Sequence, residues 1–384
     1  MKEPSQNEDT AKKVHIQTFG CQMNEYDADK MLAVLRHENY FHTNYQEDAD
    51  LIILNTCSIR EKAENKVFSE LGRLRKLKSV NPELKIGVGG CVAQQEGESI
   101  LLREANVDFV FGTDNLFELP EMLNKVSQGQ KISQTERHPR QKVRNFIPNY
   151  TFQQARHFGI KAHLTITKGC NNHCSFCVVP ITRGPEVSRE PEDILAEAQQ
   201  LISVGTKEIC LLGQNVNSYK ANGVDFVELL HRLDKLENLE RLRFISPHPK
   251  DFHAVLADAF VTLPSLCEHL HLPLQSGSDR ILRGMRRWYT IETFYKKVAL
   301  LRDRLPEATL STDLIVGFPG ETEEEFGMTM EVVRSVRFDL IYSFKYSSRP
   351  GTRAAEYPEH LMENEKSERL QTLLETQKKI VQEK

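Results

Sequence analysis

The sequence predicts an α/β protein of two domains: an N-terminal doubly wound parallel sheet of the flavodoxin or Rossmann type, then a partial (βα)6 barrel of the TIM type. Two observations carry this prediction. Short apolar segments alternate with longer segments of helical period along nearly the whole chain, which is typical of parallel sheets with covered faces. The chain of 384 residues also exceeds the usual size of one domain, about 150 residues.

The predicted N-terminal domain covers residues 13–132, and three of its strands end at a cysteine: Cys21, Cys57 or Cys91. Because the strands of a parallel sheet end at one edge, where such sheets bind ligands, we expect these three thiols to converge. The alternative is that they are small, buried and inert. The predicted strands are 14–21, 50–57, 84–91 and 107–112, and the predicted helices are 25–38, 60–79 and 115–128.

The predicted second domain covers residues 156–384 and includes a charged helix at 362–384. Its six strand–helix units are too few for a complete eight-stranded barrel. The predicted strands are 163–168, 207–212, 241–245, 268–273, 309–316 and 338–344. The helices between them lie near 190–204, 225–237, 250–262, 290–304 and 322–336.

Residues 133–155 are predicted to link the two domains, because they contain prolines and lack periodicity. They hold a group of basic side chains, which we call the linker patch: Arg137, His138, Arg140, Lys142 and Arg144. Such a patch indicates either contact with a nucleic acid or a merely solvated linker.

The composition excludes two broad classes. Lys and Arg number 50 against 54 Asp and Glu, a formal charge of −4, so the chain is not a uniformly basic nucleic-acid binder. No apolar run approaches the roughly 18 residues of a membrane span, and the polar N-terminus has no signal-peptide core, so we expect a cytoplasmic protein without a membrane partner. Thiols stay reduced there, so eight cysteines favour metal or redox chemistry. Two of them, Cys210 and Cys267, are predicted to be buried core residues.

The strongest local signal is a Cys-x3-Cys-x2-Cys triplet, formed by Cys170, Cys174 and Cys177 directly after the first barrel strand. Thiolates hold zinc or iron–sulfur clusters. Three thiolates without a fourth leave one metal position open, and an open site can bind a substrate or cofactor. The alternative is a zinc site with His173 as the fourth ligand.

The triplet, with Phe176 before its last cysteine and its place in a partial barrel, resembles the radical S-adenosylmethionine superfamily. Within that superfamily the chain resembles the methylthiotransferases, and its GCQMN and NTCSIREKAE runs are similar to the MiaB type, which acts on isopentenylated adenosine in tRNA. The resemblance covers about residues 14–380 and rests on the segments 17–31, 55–74, 89–95, 169–189, 211–219, 271–282 and 311–322.

The resemblance implies two [4Fe–4S] clusters, an auxiliary one held by Cys21, Cys57 and Cys91 and one that binds S-adenosylmethionine, held by Cys170, Cys174 and Cys177. It also implies two S-adenosylmethionine molecules per turnover. One methylates sulfur at the auxiliary cluster, and the other is cleaved by one electron to a 5′-deoxyadenosyl radical. The radical activates C2–H of isopentenyladenosine 37 in tRNA, which then receives the methylthio group. A low-potential electron donor such as flavodoxin is the other implied partner, and a monomer is the default expectation.

Further cofactor contacts are expected at the C-terminal ends of the barrel strands, where barrels bind ligands. The alternative for each residue is the ordinary polarity of strand ends. Arg287 is a candidate partner for the cofactor carboxylate, although the arginines at 280, 283, 286 and 287 could equally contact RNA phosphate or be solvated. The other candidates are Gln214, Asn215, Ser246, His248, Gln275, Ser276, Asp313 and Ser347.

Proteins of this family usually continue into a small RNA-binding β-barrel, the TRAM domain, which is absent from this sequence. Either the sequence is truncated or tRNA is bound without that domain, in which case recognition would fall to the linker patch and the rim arginines. Two alternative functions stay open. One is the same chemistry on threonylcarbamoyl-adenosine tRNA or a ribosomal protein, and the other is a non-catalytic iron–sulfur protein that binds RNA.

Overall fold

The computed structural model describes residues 11–58, 61–139 and 159–384, with side chains for all of these except 61–65. Contacts divide the chain into two compact units. The first consists of residues 1–159 together with Ile181–Gly184, and the second consists of Ile160–Pro180 and Pro185–Lys384. Within the described residues, no helix combines the length and the apolar character that crossing a membrane requires.

The first unit is built on a six-stranded, all-parallel sheet with the strand order β2-β1-β3-β4-β5-β6. The strands are β1 (Lys12–Thr18), β2 (Tyr40–His42), β3 (Leu51–Thr56), β4 (Lys85–Gly90), β5 (Phe109–Phe111) and β6 (Ile132–Gln134). The helices are α1 (Gln22–His37), α2 (Glu61–Val80), α3 (Cys91–Glu96), α4 (Glu98–Arg103) and α5 (Leu119–Ser127). This confirms the predicted parallel-sheet domain.

Two strands of this sheet were not predicted, β2 and β6. Each has only three residues and lies at an edge of the sheet, where pairing with one neighbour rather than an apolar run defines it. The predicted start of the linker at 133 is therefore wrong, because Ser133 and Gln134 belong to β6 and pair with Val110 and Phe111.

Both faces of this sheet are buried, which is why β3 is a continuous apolar run rather than an alternating one. Leu51 and Ile53 pack into the core on the side of α1 and α5. Ile52 and Leu54 pack into the opposite core, with apolar residues of α2 and α4. The sheet is therefore covered on both sides, as in the predicted doubly wound class.

The second unit contains the six predicted parallel strands, as two three-stranded sheets, β7-β10-β13 and β14-β15-β16. The two sheets adjoin where Leu242 bonds to Ser265 and Cys267 beside β13. The strands are β7 (Lys161–Thr165), β8 (Thr167–Lys168), β9 (Val187–Ser188), β10 (Glu208–Leu212), β11 (Lys220–Ala221), β12 (Val224–Asp225), β13 (Arg241–Phe244), β14 (His269–His271), β15 (Thr309–Val316) and β16 (Leu340–Lys345). The predicted partial barrel is confirmed.

Helices cover this barrel in the predicted order, and α12 begins at the capping box of Thr322 and Glu325. Two short helices, α6 and α10, were not predicted, nor were the two-residue strands β8, β9, β11 and β12. The helices are α6 (Val179–Thr182), α7 (Pro191–Ser203), α8 (Phe226–Asp234), α9 (Ala254–Thr262), α10 (Asp279–Gly284), α11 (Ile291–Arg302), α12 (Glu323–Val336) and α13 (Glu363–Glu383).

Candidate functional site

Three cysteines of the first unit lie at the carboxyl edge of its sheet. Cys21 follows β1 and caps α1, Cys57 follows β3, and Cys91 begins α3 directly after β4. The Cys57 and Cys21 side chains are hydrogen bonded, and Cys21 and Cys91 both interact electrostatically with Arg183. Cys57 therefore lies beside Cys21, and Arg183 acts on both Cys21 and Cys91. No three metal-ligating side chains among the described residues are already placed to hold a metal ion, so the convergence of all three thiols stays a prediction.

Two glycines leave room for these thiols. Gly20 has a φ of +145°, and a Cβ there would lie 2.2 Å from the Cβ of Cys57. Gly90 has a φ of +93°, and its Cβ would lie 2.4 Å from the carbonyl oxygen of Thr56. Each precedes a cysteine, so the close approach of the cysteine loops requires a residue without a side chain.

If Cys21, Cys57 and Cys91 hold a cluster, Gly20→Ala should lower the iron content of reconstituted protein, because the new methyl group displaces Cys57. Iron and sulfide analysis checks this. Gly72→Ala is the control, since Gly72 is exposed in α2 with no atom within 4 Å of its added Cβ. That change should stabilise the protein by about 1 kcal/mol and leave the iron content unchanged. Equal iron content in Gly20→Ala and Gly72→Ala would contradict the assignment of Cys21, Cys57 and Cys91 as cluster ligands.

Asparagines and a threonine join the cysteine loops, and sequence reasoning missed all of them. Asn24 Nδ2 donates to Asn55 Oδ1 (3.0 Å), and Asn55 Nδ2 donates to the Asn24 carbonyl (2.6 Å). Thr56 Oγ1 donates to the Gly89 carbonyl (2.6 Å) and accepts from the Val92 N–H (3.1 Å). Their one sequence signal was that Asn24, Asn55 and Thr56 stand within three residues of a predicted ligand.

Arg183 supplies the positive charge beside these thiols. Its guanidinium is buried in an ion pair with Asp27 (2.8 Å), and its Nη1 has no hydrogen-bond partner among the described residues. Burial opposes the charge, but Asp27 and the Cys91 and Cys21 thiols raise the pKa of Arg183 overall. The Cys57 hydrogen bond, aided by Arg183, lowers the pKa of Cys21 to about 6 against the effect of burial. Three thiols, two glycines that allow their loops to approach, and a buried N–H of Arg183 without a partner among the described residues fit an anionic iron–sulfur cluster.

The second group of thiols lies after β8 in the second unit. Cys170, Cys174 and Cys177 lie close enough to act on one another electrostatically. Burial, and then the neighbouring Cys174 thiol, raises the pKa of Cys177 to about 12. The pKa of Cys170 is raised as well, chiefly by burial. Such crowding disfavours three thiolates alone and favours them around a cationic iron centre, which fits the donor set of a cluster.

Arg287 is directed at this cysteine group. Its Nη1 lies 3.6 Å from Cys174 Sγ, its Nε donates to the Tyr289 hydroxyl (3.0 Å), and its Nη2 donates to the Pro273 carbonyl (3.0 Å). Burial works against the charged form, but Tyr289 and Cys174 raise the pKa of Arg287 overall. Three of its five N–H groups are engaged in these contacts, and a bond to the cofactor carboxylate stays a prediction.

Several predicted cofactor contacts have unsatisfied atoms at the strand ends. Asn215 Oδ1 and His248 Nε2 are buried without a hydrogen-bond partner among the described residues. Ser246 and Gln275 have φ values of 61° and 74°, and backbone strain of this kind is typical of functional sites. Polar atoms without partners beside strained turns fit the recognition of a polar cofactor.

Other predicted contacts have structural partners. Gln214 Oε1 accepts from the Gly169 N–H (2.5 Å), so this side chain holds the cysteine loop. Ser276 is fully buried, and its hydroxyl accepts from the Ser278 N–H (3.3 Å). Asp313 Oδ2 accepts from His271 Nε2 (3.3 Å). Cofactor contact by these residues stays a prediction.

Acid should destabilise the protein through His248. Burial, and then Arg287 and Lys250, lowers the pKa of His248 to about 2, against about 6.5 unfolded. The unfolded state therefore binds one more proton between these values, and this contribution to stability is complete above pH 6.5 and lost as the pH falls below it. The free energy of unfolding should fall by about 1.4 kcal/mol per pH unit below pH 6 from this group. His248→Gln should remove that slope in urea denaturation, and an unchanged slope would refute it.

The linker patch is only partly described. Arg137 lies 4.0 Å from Asp114, and His138 Nε2 lies 2.8 Å from Glu118 Oε1. These two side chains are therefore already engaged within the first unit, whereas Arg140, Lys142 and Arg144 lie outside the described residues.

The prediction that Cys210 and Cys267 are core residues is wrong, because both are half-buried. Cys267 lines an open cavity of about 400 Å³ near the amino ends of β13–β15, with Arg241, Arg243 and His269. Strand position suggested burial, but an open barrel leaves this end accessible.

Comparison with known proteins follows the same division of the chain. A family model described as "Uncharacterized protein family UPF0004" matches residues 13–112, and that of the radical SAM superfamily matches residues 164–333. A tRNA-2-methylthio-N(6)-dimethylallyladenosine synthase of Pelotomaculum thermopropionicum is 45% identical over 380 residues, covering 96% of this chain and 83% of that protein. The chain belongs to this family of methylthiotransferases. The protein of the same name from Francisella tularensis subsp. novicida is 47% identical to this methylthiotransferase over 379 residues, covering 96% and 85%.

Solved structures agree with the fold of the methylthiotransferase. The radical S-adenosylmethionine methyltransferase TsrM of Kitasatospora setae aligns with a TM-score of 0.67 at 15% identity, covering 90% of this chain and 77% of that one. The cobalamin-dependent radical enzyme OxsB aligns at 0.60 and 14% identity, covering 96% and 56%. At such identities the likeness concerns the fold alone. The predicted family and enzyme class are confirmed by the relatives, and the radical SAM superfamily implies a [4Fe–4S] cluster and S-adenosylmethionine.

Proposed function

We propose that this enzyme converts N6-isopentenyladenosine 37 of tRNA to its 2-methylthio derivative in the cytoplasm, by inserting sulfur and a methyl group at C2 of adenine. The observation that carries the proposal is the 45–47% identity, over 96% of the chain, to synthases named for this product. Nothing in the comparisons favours threonylcarbamoyl-adenosine, a ribosomal protein or a non-catalytic role.

We propose that the enzyme holds two clusters with separate roles. Cys21, Cys57 and Cys91 would hold the auxiliary cluster, and Arg183 would compensate its negative charge. The cysteines at 170, 174 and 177 would hold the other, with Arg287 beside it. When bound there, the cluster and S-adenosylmethionine supply the radical chemistry that an unactivated C2–H bond requires. Each turnover would use two S-adenosylmethionine molecules and electrons from a flavodoxin-type donor, and the enzyme would act as a monomer.

Other residues of the chain position the cysteine loops and the bound cofactor. Gly20 and Gly90 let the cysteine loops approach, and the Asn24–Asn55 pair holds them together. Asn215 and His248 offer unpaired polar atoms to a bound cofactor in the second unit. Because catalysis by such enzymes depends on orientation, these contacts matter as much as the ligands themselves.

The test is nucleoside mass spectrometry of tRNA from a bacterial strain that lacks its own methylthiotransferase, with and without this chain. We expect 2-methylthio-N6-isopentenyladenosine to appear with the wild-type chain and not with Cys174→Ala. A different methylthiolated nucleoside would replace the proposed substrate. No new nucleoside, with soluble iron-loaded protein present, would contradict the proposal.

A further inference from the structure

The chain's single tryptophan lies in an unusual backbone conformation at the rim of the barrel. Trp288 is 68% exposed and has a φ of 57°, and Arg286, two residues earlier, has a φ of 58°. A positive φ is rare for a bulky residue and costs about 1–3 kcal/mol, so it persists only where the surrounding structure enforces it. Backbone strain of this kind is typical of functional sites, so a conformation that holds the largest apolar side chain in solvent indicates a binding role.

Buried neighbours enforce this conformation. Met285, Arg287 and Tyr289 are buried, whereas Trp288 between the last two faces solvent. The Tyr289 hydroxyl donates into the carbonyls that follow β14, at 2.8 Å from that of Leu274 and 3.0 Å from that of Pro273. The segment is therefore fixed on both sides of the tryptophan, and the indole is presented outward by a rigid support.

This segment is also fastened to the cysteine loop. The Ser175 N–H donates to the Met285 carbonyl (3.1 Å), and Ser175 Oγ donates to the Gly284 carbonyl (2.8 Å). Arg287, next to the tryptophan, contacts Cys174. The backbone that carries Trp288 is therefore tied to the loop of Cys170, Cys174 and Cys177.

The charged side chains near Trp288 in the sequence indicate which kind of molecule would bind there. Arg280 is paired with Glu325, and Arg287 is held by its buried partners. Arg283 is exposed and Arg286 half-exposed, and neither forms an ion pair with a described residue. An exposed aromatic ring with two uncommitted guanidinium groups matches a nucleobase between phosphates, as single-stranded RNA presents them.

Resting on the proposed function, we infer that Trp288 is the stacking platform for an unpaired base of the anticodon loop next to adenosine 37, with Arg283 and Arg286 binding the adjoining phosphates. An acidic electron-donor protein would also meet positive charge here, but it needs no ring to stack on. RNA is therefore the partner that the combination of ring and charge favours.

Because the chain has one tryptophan, fluorescence excited selectively in the indole, beyond the absorption of the ten tyrosines, reports on this position alone. Cluster-loaded protein is titrated with an anticodon stem–loop RNA that carries N6-isopentenyladenosine at position 37, with inner-filter correction, and binding is followed in parallel by anisotropy of a dye on the RNA. We expect the emission to be quenched with the same dissociation constant that anisotropy gives. A fully paired RNA of equal length should leave the emission unchanged.

Variants distinguish the contribution of base stacking to RNA affinity from that of phosphate binding. Trp288→Ala should weaken loop binding about 5- to 150-fold, the range for loss of one stacked base, and Trp288→Phe should restore most of it. Tyr45→Ala is the matched control, because Tyr45 is equally exposed, at 68%, on the first unit. Arg283→Gln and Arg286→Gln should each reduce the slope of log affinity against log salt by about 0.7. Equal iron content in all variants shows that the site is intact.

The outcomes are distinct. Tight RNA binding by anisotropy with unchanged emission and an unaffected Trp288→Ala variant would overturn the inference and leave the proposed function standing. Quenching by a reduced flavodoxin but not by the RNA would assign the surface to the electron donor instead. Absence of RNA binding together with absence of the methylthiolated nucleoside would overturn both.

Discussion

Replacing Cys174 with alanine is expected to abolish formation of 5′-deoxyadenosine, whereas replacing Cys57 should leave that cleavage and stop methylthiolation. The reason is that the two residues belong to separate groups of thiols in separate units, each with its own buried arginine. Loss of a ligand should exceed the roughly 100-fold effect of changes beside a ligand. Liquid chromatography of anaerobic, dithionite-reduced assays measures both products.

Cys210→Ala is the control for these two variants, because Cys210 lies in β10 outside both groups. It should retain iron, cleavage and methylthiolation. Iron analysis of the two ligand variants should show one cluster remaining in each. Cleavage that survives Cys174→Ala would refute the division of roles between the clusters.

Replacing Arg183 with methionine is expected to destabilise the first unit by about 3–5 kcal/mol, because Asp27 would then be buried without a counter-charge. The guanidinium side chain is only 4% exposed and that of Asp27 12%, so water replaces little of the lost interaction. Hydrogen–deuterium exchange of β3 measures the effect, and iron analysis shows whether the auxiliary cluster is retained. We expect faster exchange and iron for one cluster only.

Two comparisons make this prediction specific. Arg183→Met combined with Asp27→Asn should recover much of the stability but not the iron, since the charge toward the cysteines is still missing. Lys125→Met removes an exposed ion pair with Glu121 and should cost no more than about 1 kcal/mol. Exchange in Arg183→Met that equals exchange in Lys125→Met would contradict a stabilising role for the buried pair.

The sequence predicted those helices and strands that are specified by residues adjacent in the chain. The strand β15 was predicted with its observed bounds, Thr309–Val316, because its Thr, Leu, Ile and Val residues favour an extended strand without reference to its neighbours. The cysteines at 21, 57 and 91 were placed at strand ends by the same pattern, and parallel topology then brought them to one edge. Short edge strands such as β2 were missed, because a partner strand defines them.

Residues that act over long sequence separations could not be predicted. Arg183 stands 156 positions from Asp27, and no periodicity links the two. Arg287 was recognised as a candidate, but not its contact with Cys174, 113 positions away. Trp288 could not be recognised as a candidate from the sequence, because exposure and a left-handed backbone are properties of the folded chain alone.

Apolar periodicity along the chain was enough to predict the α/β class, and the spacing of its motifs was enough to predict the family. The folded chain was needed to show which charges face the predicted cysteine ligands, which glycines make room for them and which aromatic ring is exposed at the rim of the barrel. Those features depend on distances between residues far apart in sequence, and chain folding alone sets those distances.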